Sequence, residues 1–238
     1  QSFIVAIGSA AGQGAAPDGE TINYTGGDNN VAIGYNTLFS QTTGHTNVAI
    51  GKEALKDSTT AYYCTAIGSG ALTNVTTGTV NAAVGHRAGE FVTTSTASTA
   101  IGMYACRKVS TGNFNTGIGF KALSGNAGLN NFLTGSSNVA IGSSALTKLH
   151  GASTSNIAIG TNVGLNLTEG TGNLLIGNQA GASLTEASNQ TIIGQFNGND
   201  SGLDLGVNTT ARLVLSTGVT PVVVATNSNF DIMVGAAL

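Results

Sequence analysis

One dipeptide, Ile-Gly, recurs along this chain at a nearly constant interval, and that interval limits the possible folds more than any other feature. Its glycines are Gly8, Gly34, Gly51, Gly68, Gly85, Gly102, Gly119, Gly142, Gly160, Gly177 and Gly194, with successive spacings of 26, 17, 17, 17, 17, 17, 23, 18, 17 and 17. A 17-residue period with two insertions, nine residues ahead of Gly34 and six ahead of Gly142, marks a repeat architecture in which each unit packs only on its neighbours. Seventeen residues make a helix pair only if both helices are tiny, whereas two short strands joined by two turns fit comfortably. The glycines from Gly34 to Gly194 are therefore read as structural turn residues, each able to take a positive φ and turn a corner.

Counting from each glycine as position 0, position −1 is Ile in ten copies and Val84 in the eleventh. Position −2 is Ala or Gly in nine, for example Ala32, Ala49, Ala66 and Ala140, and position −4 is Asn in seven, from Asn30 to Asn173. Position +3 is Ala in eight copies, and +4 is Leu or Gly in all but one, where Cys106 stands. Positions +1 and +2 vary freely through Tyr35-Asn36, Lys52-Glu53, His86-Arg87, Met103-Tyr104 and Phe120-Lys121, the behaviour of a solvent-facing corner. The Asn-Val-Ala-Ile segment is β-branched and reads as a strand, so −1 and −3 share one face and −2 and −4 the other. The expectation from side-chain size is that Ile and Val fill the coil interior. Ala then lines a seam against a neighbouring protomer, and stacked Asn forms an amide ladder.

These patterns predict an all-β parallel β-solenoid of about eleven 17-residue coils over residues 1–199, packed as a homotrimer. At about 4.8 Å per coil it would span roughly 50 Å. After Gly194 the repeat ends in the turn-rich Gln195 to Gly202, and residues 200–238 carry short strand-like runs suited to a small β cap.

Composition narrows the function classes. Charged residues make up 8% of 238, against roughly a quarter in an ordinary globular domain, and 35 glycines show no Gly-X-Y period. The net charge of −3 is scattered, with no basic stripe for nucleic acid, and no run reaches the roughly 18 apolar residues of a membrane helix. Gln1 to Ile4 already belong to the repeat, so no signal peptide is read. Cys64 and Cys106 occupy repeat positions −4 and +4 and are read as packed free thiols. His45, His86 and His150 lie in different coils at non-equivalent positions, and the carboxylates are isolated, so no catalytic constellation is predicted and the chain is read as a non-enzyme. The Asx-rich turns at Gly26 to Asn30 and Asn197 to Asp204 are read as bonding their own backbone, with no metal or cofactor assigned. Tyr24, Tyr35, Tyr104 and Phe132, on the variable corner and the insertions, are the candidate receptor contacts.

Asn30 to Gly34, Asn47 to Gly51 and Asn138 to Gly142 carry Asn-Val-Ala-Ile-Gly. This motif resembles the head repeat of trimeric autotransporter adhesins, and equally the repeats upstream of the intramolecular chaperone domain in phage tail fibres. Thr191 to Leu205, followed by Leu213 to Ser216, is similar to the exit segment of the second group. The chain departs from the adhesins in lacking their shorter coil and Asp-Ala-Val-Asn-type neck. It departs from the fibres in lacking the Ser-Asp-containing start of the chaperone, a domain expected to have been removed at or after Leu238. The resemblance implies a homotrimeric virion appendage, with other tail or fibre proteins and a host surface glycan or protein as partners. The alternatives are a bacterial adhesin head at the cell surface and an ice-binding solenoid. The latter needs flat ranks of regularly spaced Thr, and Thr is read as too scattered for them.

Overall fold

The computed structural model describes residues 4–12, 27–125, 131–200, 203–204, 211–218 and 220–226. It is an all-β parallel β-solenoid, and its chain divides into two compact units, residues 1–115 and 116–238. In the first unit the repeat strands are β1 (Ile4–Ile7), β2 (Asn30–Ile33), β3 (Val48–Ile50), β4 (Thr65–Ile67), β5 (Ala82–Val84) and β6 (Thr99–Ile101). Each pairs in parallel with the next and in the repeat's own register, so Ala32, Ala49, Ala66, Ala83 and Ala100 fall in one column. The second unit continues the pattern with β7 (Thr116–Ile118), β8 (Val139–Ile141), β9 (Ile157–Ile159), β10 (Leu174–Ile176) and β11 (Gln190–Ile193). After the short antiparallel pair β12 (Asn199–Asp200) and β13 (Leu203–Asp204), strand β14 (Arg212–Thr217) joins β11 in parallel. It then turns back antiparallel into β15 (Thr220–Thr226), with a bulge between Leu215 and Ser216.

The strand faces are the reverse of the expectation from side-chain size. Ala at −2 is the interior residue, 0% exposed at Ala49 and Ala66, and Asn at −4 is buried beside it. The Ile and Val at −1 lie outside, with Ile101 42% exposed and Ile67, Val84, Ile159 and Ile193 similar. The interior has little room on the strand side because other positions fill it. Leu38, Leu55, Leu72, Leu123 and Leu146 at +4 are fully buried, as are Val75, Val92, Val109, Leu149, Leu167 and Leu184 at +7. Where Leu stands at +4 the residue opposite at −2 is Ala or Gly, whereas in the coils of Gly177 and Gly194, with Gly181 and Gly198 at +4, Leu175 and Ile192 at −2 are themselves fully buried.

Left-handed backbone at four repeat positions turns each coil. At position 0 the glycine has φ between 121° and 136°, and a Cβ on Gly51 would lie 2.7 Å from the Gly68 carbonyl oxygen, so both backbone conformation and the neighbouring coil require glycine. The other left-handed positions are +2, +4 and −5, and these are mostly not glycine: Glu53, Leu55 and Tyr63 have φ of 60°, 48° and 56°. The alternation of Leu and Gly at +4 follows from this. The backbone there favours glycine, yet the position also faces the core, so either Leu fills the space or a neighbour does. At Gly89 the missing side chain is replaced by Leu72, whose Cδ2 would sit 2.7 Å from an added Cβ.

The Asn column hydrogen-bonds buried backbone groups of successive coils. Asn47 Oδ1 accepts from the Cys64 backbone N–H at 2.9 Å, while its Nδ2 donates to the Ala61 carbonyl at 2.8 Å. Asn173 does the same with the Gln190 N–H (2.9 Å) and the Ala187 carbonyl (2.7 Å). Each amide thus ties a strand to the next coil at two points.

Candidate functional site

Two outward surfaces of the coils carry side chains that a free-standing polar solenoid would not need. The first is the sheet face. In the first unit it presents Ile67, Val84 and Ile101 at −1, with Thr65, Ala82 and Thr99 between them and the preceding corner. In the second unit Ile157, Ile159, Ile193 and, on β14, Leu215 are exposed on the same side of their strands. Parallel sheets are ordinarily covered on both faces, and a contiguous apolar strip open to water marks an interaction surface. Hydrophobic periodicity found the strand but assigned this strip to the interior, since both of its faces are apolar.

The second surface is the corner formed by positions +1 to +6. In the coils that follow Gly85 and Gly102, it gathers His86, Arg87, Glu90, Phe91, Met103, Tyr104 and Arg107. The Arg107 guanidinium lies 5.4 Å from the Phe91 ring centroid and 5.3 Å from that of Tyr104, and its Nε is 2.5 Å from Glu90 Oε2. Arg87 Nε approaches Glu90 Oε1 at 3.7 Å, and His86 meets the Tyr104 ring edge-on at 5.5 Å. Lys108 beside them is nearly buried; desolvation, and then the Arg107 charge, hold its ammonium below the ordinary lysine range. A separate aromatic group stands on the −6/−5 corner, where His45 stacks on Tyr62 at 5.2 Å and Tyr63 meets both edge-on.

Of the four sequence-predicted contacts, Tyr35 and Tyr104 share the first unit and stand on coils well apart. Tyr24 lies outside the described residues. Tyr35 is exposed at +1, Tyr104 is half-buried at +2 four coils later, and Phe132 is half-buried in the second unit. Tyr104 belongs to the Arg107 cluster. The partners of that cluster, Phe91 and Arg107 at +6 and +5, were missed because those positions are polar or small in most other coils, and nothing in one repeat announces that two neighbours combine.

Thr forms one regular rank, unlike the scatter expected from the sequence. Thr43, Thr60, Thr77, Thr94 and Thr111 all stand at −8 and are exposed. Two residues on, the companion positions are His45, Tyr62, Thr79, Thr96 and Asn113, so the paired ranks of an ice-binding face are interrupted. In the second unit a cleft of about 340 Å³ is lined by Ser153, Glu169, Thr171, Glu186 and Ser188, with Glu169 and Glu186 bridged in parallel one coil apart. Among the described residues, no helix is long and apolar enough to cross a membrane. No protein-family model, curated protein or solved structure matches this chain.

Proposed function

We propose that the chain is the shaft of a homotrimeric virion appendage, of the tail-fibre kind, that spans distance and contacts the host surface without catalysing a reaction. The observation that carries this reading is the outward aliphatic strip at −1. It repeats with the coil, so a second copy aligned along the same axis meets it at every level, and burying it removes one aliphatic side chain per coil of each copy from water. The resemblance of the Asn-Val-Ala-Ile-Gly repeats to trimeric fibre and adhesin sequences supports three copies rather than two. In this reading residues 200–238 act as a cap over the last coil, and β14 pairing on β11 supports that role by occupying a strand edge.

Light scattering on the purified chain tests the assembly: a native mass near three times 23.6 kDa is expected. The double variant Ile67→Asp/Ile101→Asp places charges on the strip and is expected to give monomers with an unchanged β-rich circular dichroism spectrum. A wild-type monomer at micromolar concentration overturns the reading.

A further inference from the structure

We infer that the corner built by Arg87, Arg107 and Tyr104 is a binding site for carboxylate-bearing saccharides. The assignment deepens the appendage reading, on which its biological sense rests, by naming the site and the ligand class. Its core is the clamp on Arg107. A guanidinium flanked by two rings and fixed at Nε by a carboxylate has lost most of its rotational freedom before any ligand arrives, so less is forfeited when it binds. The hydrogen bond to Glu90 is made by Nε, and the guanidinium carries two Nη groups besides. Two parallel N–H donors of that kind match a planar carboxylate in a bidentate pair.

Charge points the same way. From residue 86 to 108 the chain carries Arg87, Arg107 and Lys108 against Glu90 alone, although its net charge is −3. An anionic ligand is therefore attracted to this corner in particular and repelled by the chain as a whole. Apolar surface beside the charges distinguishes a sugar from a bare anion: exposed Met103 and the Tyr104 ring offer a face on which the C–H side of a pyranose can lie. Glu90, sharing its oxygens between the two arginines, aligns them and also accepts hydroxyl hydrogens of a bound ring.

The test uses the full chain, with polygalacturonate as probe, the fully methyl-esterified polymer as its neutral twin and poly-glutamate as an acidic peptide, each by calorimetry at two salt concentrations. Binding to polygalacturonate is expected to weaken with salt, and the ester and the peptide are expected to bind at least about tenfold more weakly. Arg107→Lys keeps the charge but loses the fork, and is expected to weaken binding about tenfold. Arg87→Ala, at an exposed position outside the clamp, gives a smaller loss and needs no refolding of the core. Lys52→Ala, on the same corner two coils away, changes nothing. Equal binding of the ester or the peptide, a wild-type affinity for both arginine variants, or an equal loss from Lys52→Ala overturns the site. Native mass measured on the same samples separates the two readings. A trimer that fails to bind overturns this site alone, and a monomer that binds overturns the trimeric shaft alone.

Discussion

The buried amide column differs between the two units. In the first it runs Asn30, Asn47, Cys64, Asn81, Ser98, Asn115, with two of six positions substituted; in the second it runs Asn138, Asn156, Asn173, Gln190 without losing a carboxamide. Each Asn in the second unit bonds the next coil through both oxygen and nitrogen, and Asn156 and Asn173 also donate to the amide oxygen of the preceding rung at 2.9 and 2.8 Å. Cys64 keeps a weaker version of this pattern, an S–H contact to the Gly78 carbonyl at 3.5 Å and sulfur hydrogen bonds with Asn81, and Ser98 accepts from the Asn115 N–H at 3.3 Å. A solenoid's stability is close to a sum of coil and interface terms, so a poorer rung weakens its own neighbourhood rather than the whole stack. The lesson is that the same backbone tolerates a substituted rung, provided the replacement is small and leaves no large buried group unmatched.

Removing a rung from the continuous column should have the largest effect. Asn156→Ala withdraws the acceptor of the Asn173 N–H, which is buried, and the donor to the half-buried Gly170 carbonyl, and is expected to cost about 2–3 kcal/mol in urea unfolding of the second unit. Hydrogen exchange should then show the amides around Asn156 and Asn173 losing protection first. If protection is unchanged, the column is not what ties these coils together.

Restoring the interrupted column is the converse. Cys64→Asn supplies an oxygen and two donors at a site where the repeat already accommodates them, and is expected to add about 1 kcal/mol to the first unit, read as a higher urea midpoint. A loss of stability would mean that the coils near Cys64 have repacked around sulfur.

A smaller gain should come from a position that does not touch the column. Val80 is exposed and β-branched, and its backbone is left-handed at φ 59°. Val80→Asn relieves that conformation and is expected to stabilise by about 0.5–1 kcal/mol, additively with Cys64→Asn if corner strain and ladder bonding are separate. Strong non-additivity in thermal melts would join them.

The smallest effect is on pH dependence. Burial pushes the Cys64 thiol above its ordinary value of 9.0, so folded and unfolded chains are both protonated below that pH and the unfolded thiol ionises first as pH rises. Stability is therefore unaffected by this group below about pH 9. It falls above that, by at most about 1.4 kcal/mol per pH unit, until the folded thiol ionises in turn. Unfolding curves at pH 8 and pH 10 should show the loss in the wild type, and a smaller loss in Cys64→Asn.

Much of the fold was legible because identical residues recur at one period. The 17-residue coil, its strand, the corner at glycine and the Asn ladder all follow from positions 0, −1, −2 and −4 read down the chain. The candidate surface was legible only at Tyr104. Phe91, Arg107 and Glu90 are unremarkable within their own repeats, and they become a cluster only because 13 residues of chain carry Phe91 round to Tyr104 on the next coil.

The sequence by itself determined that this protein is a stack of β coils with a two-faced strand, since a fixed period and alternating side chains allow little else. Which face is inside was decided by the tertiary structure. Alternation separates −1 and −3 from −2 and −4 but is silent on direction, and size favoured Ile as core. Where Leu at +4 and Val or Leu at +7 occupy the interior, the closed coil has space on its strand side for a small residue and a hydrogen-bonded polar one, and only where +4 is Gly181 or Gly198 do Leu175 and Ile192 enter at −2. The aliphatic residues are left outside, where the volume of the coil does not limit them.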